Sequence, residues 1–309
     1  MTIFKILLSS IFIISYTTVN AQDWIDLVTV TGKYSPNNTT EQENTTRNLL
    51  SISANVKLPI VLNDNNVLIL GLDHQYNSIS RNYDDGTGGS FNELPFSSSM
   101  LQLGLSHDWN EKSTTLFMAM GRLNSDYFEV DATHLQMAGL ALTTTKKTKD
   151  FHWKYGIYYN AEFFGPMIVP LFGFNWKIND KWRLKTVLPI NLELTYQPKT
   201  WFRTGLFFEG INASYRVFNY STNENDYLDK ADNNLSLFSE FHLGKNIWFH
   251  IKAGTSIIRS YRTFENSEQM TVKFGPVNIG DNRPKTSPMF NDGLFVESKI
   301  IYRLPIDNN

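Results

Sequence analysis

The chain has 309 residues, a formal net charge of −2 and a mean hydropathy of −0.29. The near-neutral charge gives no electrostatic reason to expect a nucleic-acid partner, and the absence of cysteine excludes both a disulfide framework and a lipoprotein anchor. Aromatic residues make up 14% of the chain, which is high for a soluble domain and indicates either aromatic-rich cores or belts at a membrane interface.

The N-terminal segment MTIFKILLSSIFIISYTTVNAQ has the features of a secretory signal peptide. Lys5 supplies the positive charge, an apolar stretch follows from Ile6 to about Tyr16, and Val19-Asn20-Ala21 places small residues where signal peptidase cleaves. An uncleaved anchor is the alternative, but the apolar stretch is shorter than the ~20 residues that span a bilayer. We therefore predict a signal peptide at 1–21 and one mature domain at 22–309.

Segments with the period of two that is typical of β-strands follow one another along the mature chain, and no long stretch has a helical period. These segments predict an all-β fold, a single transmembrane antiparallel up-and-down β-barrel. The strand number is about 14, with roughly 12–16 possible, because bacterial barrels have even strand numbers. The predicted strands are 26–34, 47–61, 66–77, 98–109, 113–122, 134–145, 150–163, 167–177, 181–188, 190–197, 200–220, 234–243, 246–258 and 293–304.

The connections between these strands alternate between short and long, as periplasmic turns and extracellular loops do in outer-membrane barrels. Short turns are expected at 62–66, 110–113, 145–149, 178–181, 197–200 and 244–246. Long loops are expected at 35–47, 81–96, 123–132, 221–234 and 260–292. Two connections on the long-loop side, 163–167 and 188–191, are short, and 200–220 must count as one strand, which we predict to be bulged near Gly210.

Each strand has one apolar and one mostly polar face, as in 150–163, where odd positions are apolar and Lys154 and Glu162 lie on the even face. A secreted soluble β-sandwich would give the same alternation. Lipid is favoured because no linker divides so many strands into sandwiches, because the polar faces carry charges of both signs, and because aromatics cluster near strand ends. These aromatics are Tyr76, Trp109, Trp176, Trp182, Tyr196, Trp201, Trp248 and Tyr302.

A family resemblance rests on the segment KWRLKTVLPINLELTYQPKTWFRTGLFFEGINASYRV. One strand ends in Leu188-Pro189, a short return strand ends in Tyr196, and a long strand runs into Ser214-Tyr215-Arg216. This pattern resembles an uncharacterised family of Gram-negative outer-membrane β-barrels, a domain of unknown function. The resemblance implies the barrel fold and the outer membrane, and it implies no activity.

The six histidines could belong to a catalytic site or to a metal site. Outer-membrane phospholipases place a Ser, a His and an Asn or Gln at the lipid boundary, but no Gly-x-Ser-x-Gly elbow supports such a site here. Pairing across the turn at 244–246 places His242 opposite position 248 and His250 opposite Glu240, which favours a salt-bridged pair over metal binding. No catalytic residue, metal site or cofactor is predicted. The histidines are His74, His107, His134, His152, His242 and His250.

Alternation predicts a set of ionisable residues that face the lumen, and these either line an aqueous channel or pair and close it. The set is Asp73, Lys154, Glu162, Arg183, Lys185, Glu193, Arg203, Glu240, Lys252, Glu297, Lys299 and Arg303. The loop 260–292, with Phe264, Met270, Phe274 and Phe290, either constricts the mouth or lies on the surface.

The most direct interpretation is a non-catalytic barrel of the outer membrane that acts as a passive pore or as a structural and surface protein. The alternatives are a lipid-acting enzyme and a secreted soluble β protein. Expected partners are outer-membrane lipid and lipopolysaccharide, the barrel-assembly machinery and small polar solutes, with no nucleic acid.

Overall fold

The computed structural model describes residues 24–39, 46–82, 93–128, 130–219, 222–284, 289 and 291–305. The predicted signal peptide, residues 1–21, lies outside these described residues, as does Phe290. Within these ranges, no helix is both long and apolar enough to cross a bilayer.

The described chain is almost entirely β-strand, with a single turn of 3-10 helix at Ala132–His134. The strands are β1 (Trp24–Thr39), β2 (Thr46–Asn63), β3 (Asn66–Asn82), β4 (Glu93–Asn110), β5 (Ser113–Ser125), β6 (Leu135–Thr148), β7 (Phe151–Glu162), β8 (Gly165–Lys177), β9 (Trp182–Leu188), β10 (Asn191–Lys199), β11 (Phe202–Asn219), β12 (Glu224–Gly244), β13 (Ile247–Phe264), β14 (Val272–Phe274), β15 (Val277–Ile279) and β16 (Leu294–Pro305).

Fourteen of these strands, β1 to β13 and β16, form one closed antiparallel ring. Each pairs with its neighbour in sequence, β13 pairs with β16, and β1 pairs with β16 to close the ring. The predicted single up-and-down barrel of about 14 strands is therefore confirmed. The remaining two strands, β14 and β15, form a hairpin whose first strand pairs in parallel with β8.

The structure differs from the sequence prediction mainly on the long-loop side. β12 begins at Glu224 and β13 ends at Phe264, so much of the predicted loop 221–234 and the start of 260–292 are strand. The predicted bulge near Gly210 is wrong, because β11 and β12 pair without a shift from Phe202 to Asn219. The bulge lies one strand further on, where Asn233 and Asn234 pair with Ile258 and Ser256 and leave Ile257 over.

Gly210 instead marks the position where β11 separates from β10. The last β10 partner is Asn191, opposite Glu209, and the Gly210 N–H donates to the Ile190 carbonyl oxygen at 2.8 Å. A Cβ atom at Gly210 would lie 3.0 Å from the Pro189 carbonyl oxygen, so a larger residue would crowd this junction.

The outer face of the ring is apolar and exposed. On β7, Trp153, Tyr155, Ile157 and Tyr159 are all exposed, and on β4 Leu101 is 68% exposed. An apolar band around a whole closed barrel would be unstable in water and is the surface that acyl chains solvate. The chain is therefore a transmembrane barrel in contact with lipid, located in the bacterial outer membrane.

Aromatic side chains mark the short-turn end of the barrel. Trp109, Trp176, Trp182 and Trp201 are exposed beside the turns after β4, β8 and β10, as in an interfacial belt. The prediction was wrong for Trp248, whose ring centre lies 5.3 Å from the guanidinium of the inward-facing Arg303. Its position alternates with exposed Ile247 and Ile251, so it lies on the inner face.

The wall is uneven in height. β12 has 21 residues, whereas β9 has seven and β10 has nine. The two short strands are joined by the connection at 188–191, which is one of the two that interrupt the alternation of turn lengths in the sequence; the other, at 163–167, joins β7 to β8. The wall is consequently lowest on the extracellular side of β9 and β10.

Candidate functional site

The extracellular end of the barrel is closed by a hairpin that belongs to its own wall. We call residues 211–219 of β11 and 224–232 of β12 the crossing hairpin. At its edge, Ser125 of β5 pairs in parallel with Arg216, and the Asp126 N–H donates to the Arg216 carbonyl oxygen at 3.0 Å. Because β5 and β11 are six strands apart in the ring, this contact bridges the interior of the barrel.

One serine holds the crossing hairpin to the opposite wall. Ser214 is fully buried, and both its N–H (2.7 Å) and its Oγ hydroxyl (2.6 Å) donate to Oε2 of Glu162 at the end of β7. The same Oγ accepts from the Phe163 N–H at 2.8 Å and from Gln136 Nε2 at 3.0 Å. Asn124 Nδ2 donates to the Ser214 carbonyl oxygen at 3.0 Å. Every polar atom of Ser214 thus bonds to β5, β6, β7 or the turn after β7.

Glu162 is held on its other side by the wall itself. Arg122 Nη1 lies 3.4 Å from Glu162 Oε1, and Asn160 Nδ2 donates to the same oxygen. A buried carboxylate needs such donors because desolvation without them is costly. We call Ser214 and Glu162, with the donors Arg122, Asn124, Gln136 and Asn160, the latch.

Two apolar clusters pack around the latch. In the first, Tyr215 of the crossing hairpin meets Phe96 of β4 edge to face, with ring centres 4.7 Å apart. That cluster contains Leu49, Ile79, Phe96, Ala213, Tyr215, Val217, Leu228 and Tyr261. The second contains Phe163, Phe164, Met167, Val169, Leu171, Tyr227, Phe264 and Met270. Together they fill the mouth with side chains from both walls.

The described part of the loop 260–292 contributes to this closure. Phe264 and Met270 are buried in the second cluster, and the Met270 N–H donates to the Phe164 carbonyl oxygen at 2.9 Å. Phe274, in contrast, is 48% exposed on the outside of β14. Phe264 and Met270 thus pack into the mouth, as the first alternative for this loop predicts, whereas Phe274 lies on the surface, as the second predicts.

Towards the short-turn end, ion pairs occupy the inner face of β1, β11, β12, β13 and β16, which we call the charged side. Glu240 accepts from Arg203 on β11, and Arg303 Nη1 donates to its Oε2 at 3.0 Å. His250 Nδ1 lies 3.1 Å from Glu240 Oε1, and the predicted pairing of these two residues across the turn is confirmed. Arg303 also donates to Asp26 on β1 at 2.5 Å.

Two further groups lie above this cluster on the charged side. Glu297 lies 3.0 Å from both Lys252 and Lys299, and Asp232 lies 3.2 Å from Arg259. Lys33 Nζ is 3.8 Å from Asp232. Cross-strand neighbours in fixed register thus supply each carboxylate with a cation, which offsets the cost of burial.

The structure brings together only part of the predicted lumen-facing set. Arg203, Glu240 and Arg303 form one cluster, and Lys252, Glu297 and Lys299 form another. Arg183 and Lys185 lie 5.5 Å and 4.4 Å from the ring centre of Trp24.

Four members of the set stand apart from these groups. Glu162 lies in the latch, and Lys154 is half-buried on β7, with Thr144 and Gly173 as its strand partners. Asn55 donates to Asp73 at 3.3 Å, and Thr195 donates to Glu193 at 2.7 Å.

The inner face centred on β8 carries a patch of a different kind, to which β6 and β9 contribute, and we call this patch the apolar side. Met167, Val169 and Leu171 of β8 are buried in the second cluster, with Leu140 and Leu142 of β6 and Val187 of β9 packed against them. Sequence reasoning missed this surface, since β8 carries apolar residues on both faces and lacks the expected alternation.

Sequence reasoning also missed Ser214, Trp24, Asp232 and Arg259. Asp232 lay in a predicted loop, and Trp24 and Arg259 lay just outside predicted strands. Ser214 belongs to the Ser-Tyr-Arg segment of the family resemblance, which was the available signal for its position.

Beyond the membrane, two carboxylates are fixed by local hydrogen bonds. Side-chain hydrogen bonds from Thr133 and His134, with the Thr133 N–H, lower the pKa of Asp131 to about 2. The side-chain hydrogen bond with Arg283 lowers the pKa of Asp281, and Arg283 Nη1 also reaches Asp229 of the crossing hairpin at 3.0 Å.

One polar group lies on the outer surface. His74 Nδ1 is 2.9 Å from Ser99 Oγ, which is itself 2.7 Å from the Tyr127 hydroxyl, just above the lipid-facing Leu72 and Leu101. In the part of the chain that the structure describes, no group of three or more His, Asp or Glu side chains is arranged to hold a metal ion.

Comparison with known proteins places the chain beside other barrels. A family profile described as a domain of unknown function (DUF6268) matches residues 17–295. No curated protein matches the sequence. The COG4313 outer membrane channel from Pseudomonas putida F1 aligns at 7% identity and a TM-score of 0.50, over 94% of this chain and 98% of that chain. The translocator domain of the autotransporter NalP from Neisseria meningitidis aligns at 10% identity and a TM-score of 0.39, over 98% and 97%.

Proposed function

The chain belongs to the family described as a domain of unknown function (DUF6268), and from that premise we propose that this outer-membrane barrel is a gated channel for small polar solutes. The observation that carries the proposal is that the barrel is closed by one hairpin, which leaves the wall at Gly210 and docks on the far side through the latch. The family resemblance drawn from the Leu-Pro and Ser-Tyr-Arg segments is confirmed.

Barrel size supports a channel. Roughly eight strands enclose only enough space for side chains, whereas about 16–18 leave an aqueous passage. A ring of fourteen strands lies near the upper end of that range. Without the crossing hairpin and the loop at 265–271, its interior would not be filled by the wall residues alone.

The charged side supports polar solutes. Its ion pairs join strands of one wall, as Arg203 with Glu240 and Lys252 with Glu297, and among the described residues none of them reaches across to β6–β9. Paired charges on one wall leave dipoles and spare donors directed into the lumen, which suits hydrated solutes better than apolar ones. Opening then requires release of Ser214 from Glu162 and withdrawal of Tyr215 from Phe96.

The chain has no cysteine, so disulfide cross-links test this gate cleanly. In S125C/R216C the two cysteines replace strand partners on opposite walls, and oxidation should hold the crossing hairpin in place. In the matched control S97C/S125C the same position 125 is joined to its neighbour within the wall. Planar-bilayer recordings should show openings in reduced S125C/R216C that oxidation abolishes, while the control conducts in both states.

A shortened variant gives the converse measurement. Replacing residues 214–229 by an Asn-Gly turn removes the tip of the crossing hairpin and the latch serine together. We expect large, steady conductance from this variant after refolding. A folded, shortened barrel that stays silent would contradict the channel and favour a structural or surface-binding barrel.

A second candidate function is favoured by His74 and Ser99. A histidine 2.9 Å from a serine hydroxyl at the lipid boundary is the start of a nucleophile–base pair. No carboxylate or amide orients the ring among the described residues that bond to it, and Tyr127 bonds to the serine. We therefore propose a non-catalytic barrel as the first function and a lipid hydrolase as the second.

A turnover assay separates these two candidates. Phospholipid hydrolysis in mixed micelles that is lost in Ser99→Ala and His74→Ala, and kept in His107→Ala, would favour the hydrolase. Equal, background turnover in all four proteins would remove it. For assembly, we propose lipopolysaccharide as the outer-leaflet contact and the barrel-assembly machinery as the insertion partner.

A further inference from the structure

The part of the wall that β9 and β10 form is too short to cross the membrane. Seven residues at about 3.3 Å each, tilted by about 40°, rise about 18 Å, whereas the apolar band of an outer-membrane barrel is about 25 Å tall. β9 has seven residues and β10 nine. β11 continues upward past Glu209, but it leaves the wall there and crosses the interior. These strands alone would leave a lateral opening at the level of the outer leaflet, between β8 and the crossing hairpin.

The β14–β15 hairpin lies in this opening. β8 uses the same edge for β9 lower down, where Phe172 pairs with Leu188, and for β14 higher up, where Ile168 pairs with Phe274. Since β14 runs parallel to β8, it descends towards the membrane, and the turn at Gly275 and Pro276 faces the top of β9. The hairpin thus occupies the place of the missing upper parts of β9 and β10.

The hairpin has the same inside–outside pattern as the barrel wall. Val272 pairs with Ile279 and Phe274 with Val277, so these four apolar side chains share one face, and Lys273 and Asn278 share the other. Phe274, Val277 and Ile279 are exposed to about the same degree as the lipid-facing residues of β7. On the opposite face, Lys273 Nζ donates to Asn212 of the crossing hairpin at 2.7 Å.

We propose that the β14–β15 hairpin is a lateral gate in the membrane wall. Its apolar face contacts the acyl chains of the outer leaflet, continuing the lipid-facing surface of β8. Behind it lie Met167, Val169 and Leu171 on the apolar side, with Phe164 and Met270. Displacing the hairpin would join the outer leaflet to this buried apolar surface, which fits the alkyl chain of an amphipathic molecule. This inference does not rest on the axial channel.

The attachment of the hairpin is weak compared with that of a wall strand. Two residues of β14 pair with β8, and the Gly275 N–H donates to the Ile168 carbonyl oxygen at 2.8 Å. In the described chain, β15 has β14 as its one strand partner, so its other edge is open. Two full wall strands such as β7 and β8, in contrast, share twelve residue pairs. The wall can therefore open here at the loss of a few hydrogen bonds.

The first test locates the hairpin in the bilayer. Single-cysteine variants V277C and N278C place a nitroxide on the two faces of one strand, and L103C provides a lipid-facing reference. In vesicles of phosphatidylcholine and phosphatidylglycerol, we expect the ratio of oxygen to nickel-chelate accessibility at 277 to match that at 103. It should be several-fold lower at 278. A low ratio at both 277 and 278, or a high ratio at both, would overturn the proposal.

The second test asks whether the gate admits an alkyl chain. Palmitic acid carrying a diazirine is photolysed with the M167C/K273C variant, whose cysteines replace strand partners. We expect adducts on the inward Val169 and Leu171 in the reduced protein and their loss on oxidation. Adducts on the outward Phe172 should be equal in both states. Inward adducts that are insensitive to oxidation, or absent in both states, would overturn the gate.

Discussion

The charged side and the apolar side of the barrel interior are stabilised in opposite ways. On the charged side, the pairing strands β11, β12 and β13 have 18, 21 and 18 residues, and their cross-strand neighbours pair Glu240 and Glu297 with cations. On the apolar side, β9 has seven residues, and Met167, Val169 and Leu171 pack against a loop and a hairpin.

The two kinds of contact differ in how much movement they allow. A buried ion pair depends on fixed geometry, because a small displacement leaves a desolvated charge without its partner. Apolar contacts have no such directional requirement and can be exchanged for lipid contacts at little cost. We therefore regard the β14–β15 hairpin, which pairs with β8 beside the apolar side, as the element that is displaced most easily, and the charged side as the rigid frame. The crossing hairpin moves only when the latch at Glu162 is released.

The largest effect is expected from Glu240→Ala, which breaks the charged side. Arg203 and Arg303 would be left buried with one fewer carboxylate, and losing one partner of a buried pair costs about 3–5 kcal/mol. The free energy of unfolding, measured with urea in micelles, should fall by that amount. Glu111→Ala, in an exposed turn, is the control and should change it little; equal effects of the two would contradict a rigid charged frame.

The next effect is expected from Met270→Ala on the apolar side. Met270 is buried in the second cluster, and truncation of such a side chain costs about 2–5 kcal/mol, with the lower part of the range expected on a loop that can settle. Gln269→Ala, one residue earlier and exposed, is the matched control. If Met270→Ala lowers the free energy of unfolding in urea more than Glu240→Ala does, the charged side is not the more rigid of the two.

Ser214→Ala tests the contact between the crossing hairpin and the opposite wall. The Phe163 N–H and Gln136 Nε2 would lose an acceptor in a buried site, which costs about 1–3 kcal/mol. Bilayer recordings should show more frequent openings than for the wild type, with Ser113→Ala, near a short turn, as the control. Closed traces together with a full loss of stability would indicate that Ser214 only holds the fold.

The smallest effect is a pH dependence of the loop before β6. Asp131 caps the 3-10 helix, and its pKa of about 2 lies below its ordinary 3.8. A lowered pKa means that the stabilisation is complete above about pH 4 and is lost as the pH falls towards 2. Proteolysis of this loop by pepsin should accelerate across that window in the wild type, whereas Asp131→Asn should be cleaved at a pH-independent rate relative to the rest of the chain.

Much of the ring was predictable from the sequence, because lipid on one face and polar groups on the other impose the period of two. The pairing of Glu240 with His250 followed from the turn at 244–246. The crossing hairpin was not predictable, since Ala213 to Val217 are buried on both faces and show no alternation. The segment 221–234 is rich in Asn and Asp and therefore has the composition of a loop, although its Asp232 is buried in an ion pair.

The β14–β15 hairpin escaped prediction for a different reason. Strands of three residues are too short to show any period, and their partner β8 is distant in sequence. The latch was also beyond the sequence, because it joins β5, β6, β7 and β11 across the interior. Glu162 and Ser214 are 52 residues apart in the sequence, and no local pattern indicates that they form a hydrogen bond.

The position of the β14–β15 hairpin along the polypeptide has a consequence for biogenesis. Its partner, β8, is made about a hundred residues earlier, and β16, which closes the ring, is made later. If neighbouring strands join in order of synthesis, an intermediate exists with thirteen strands assembled and its flank above β9 and β10 still uncovered. In that intermediate the uncovered flank is shielded when the β14–β15 hairpin docks on β8, and the seam between β1 and β13 is shielded later, when β16 closes the ring.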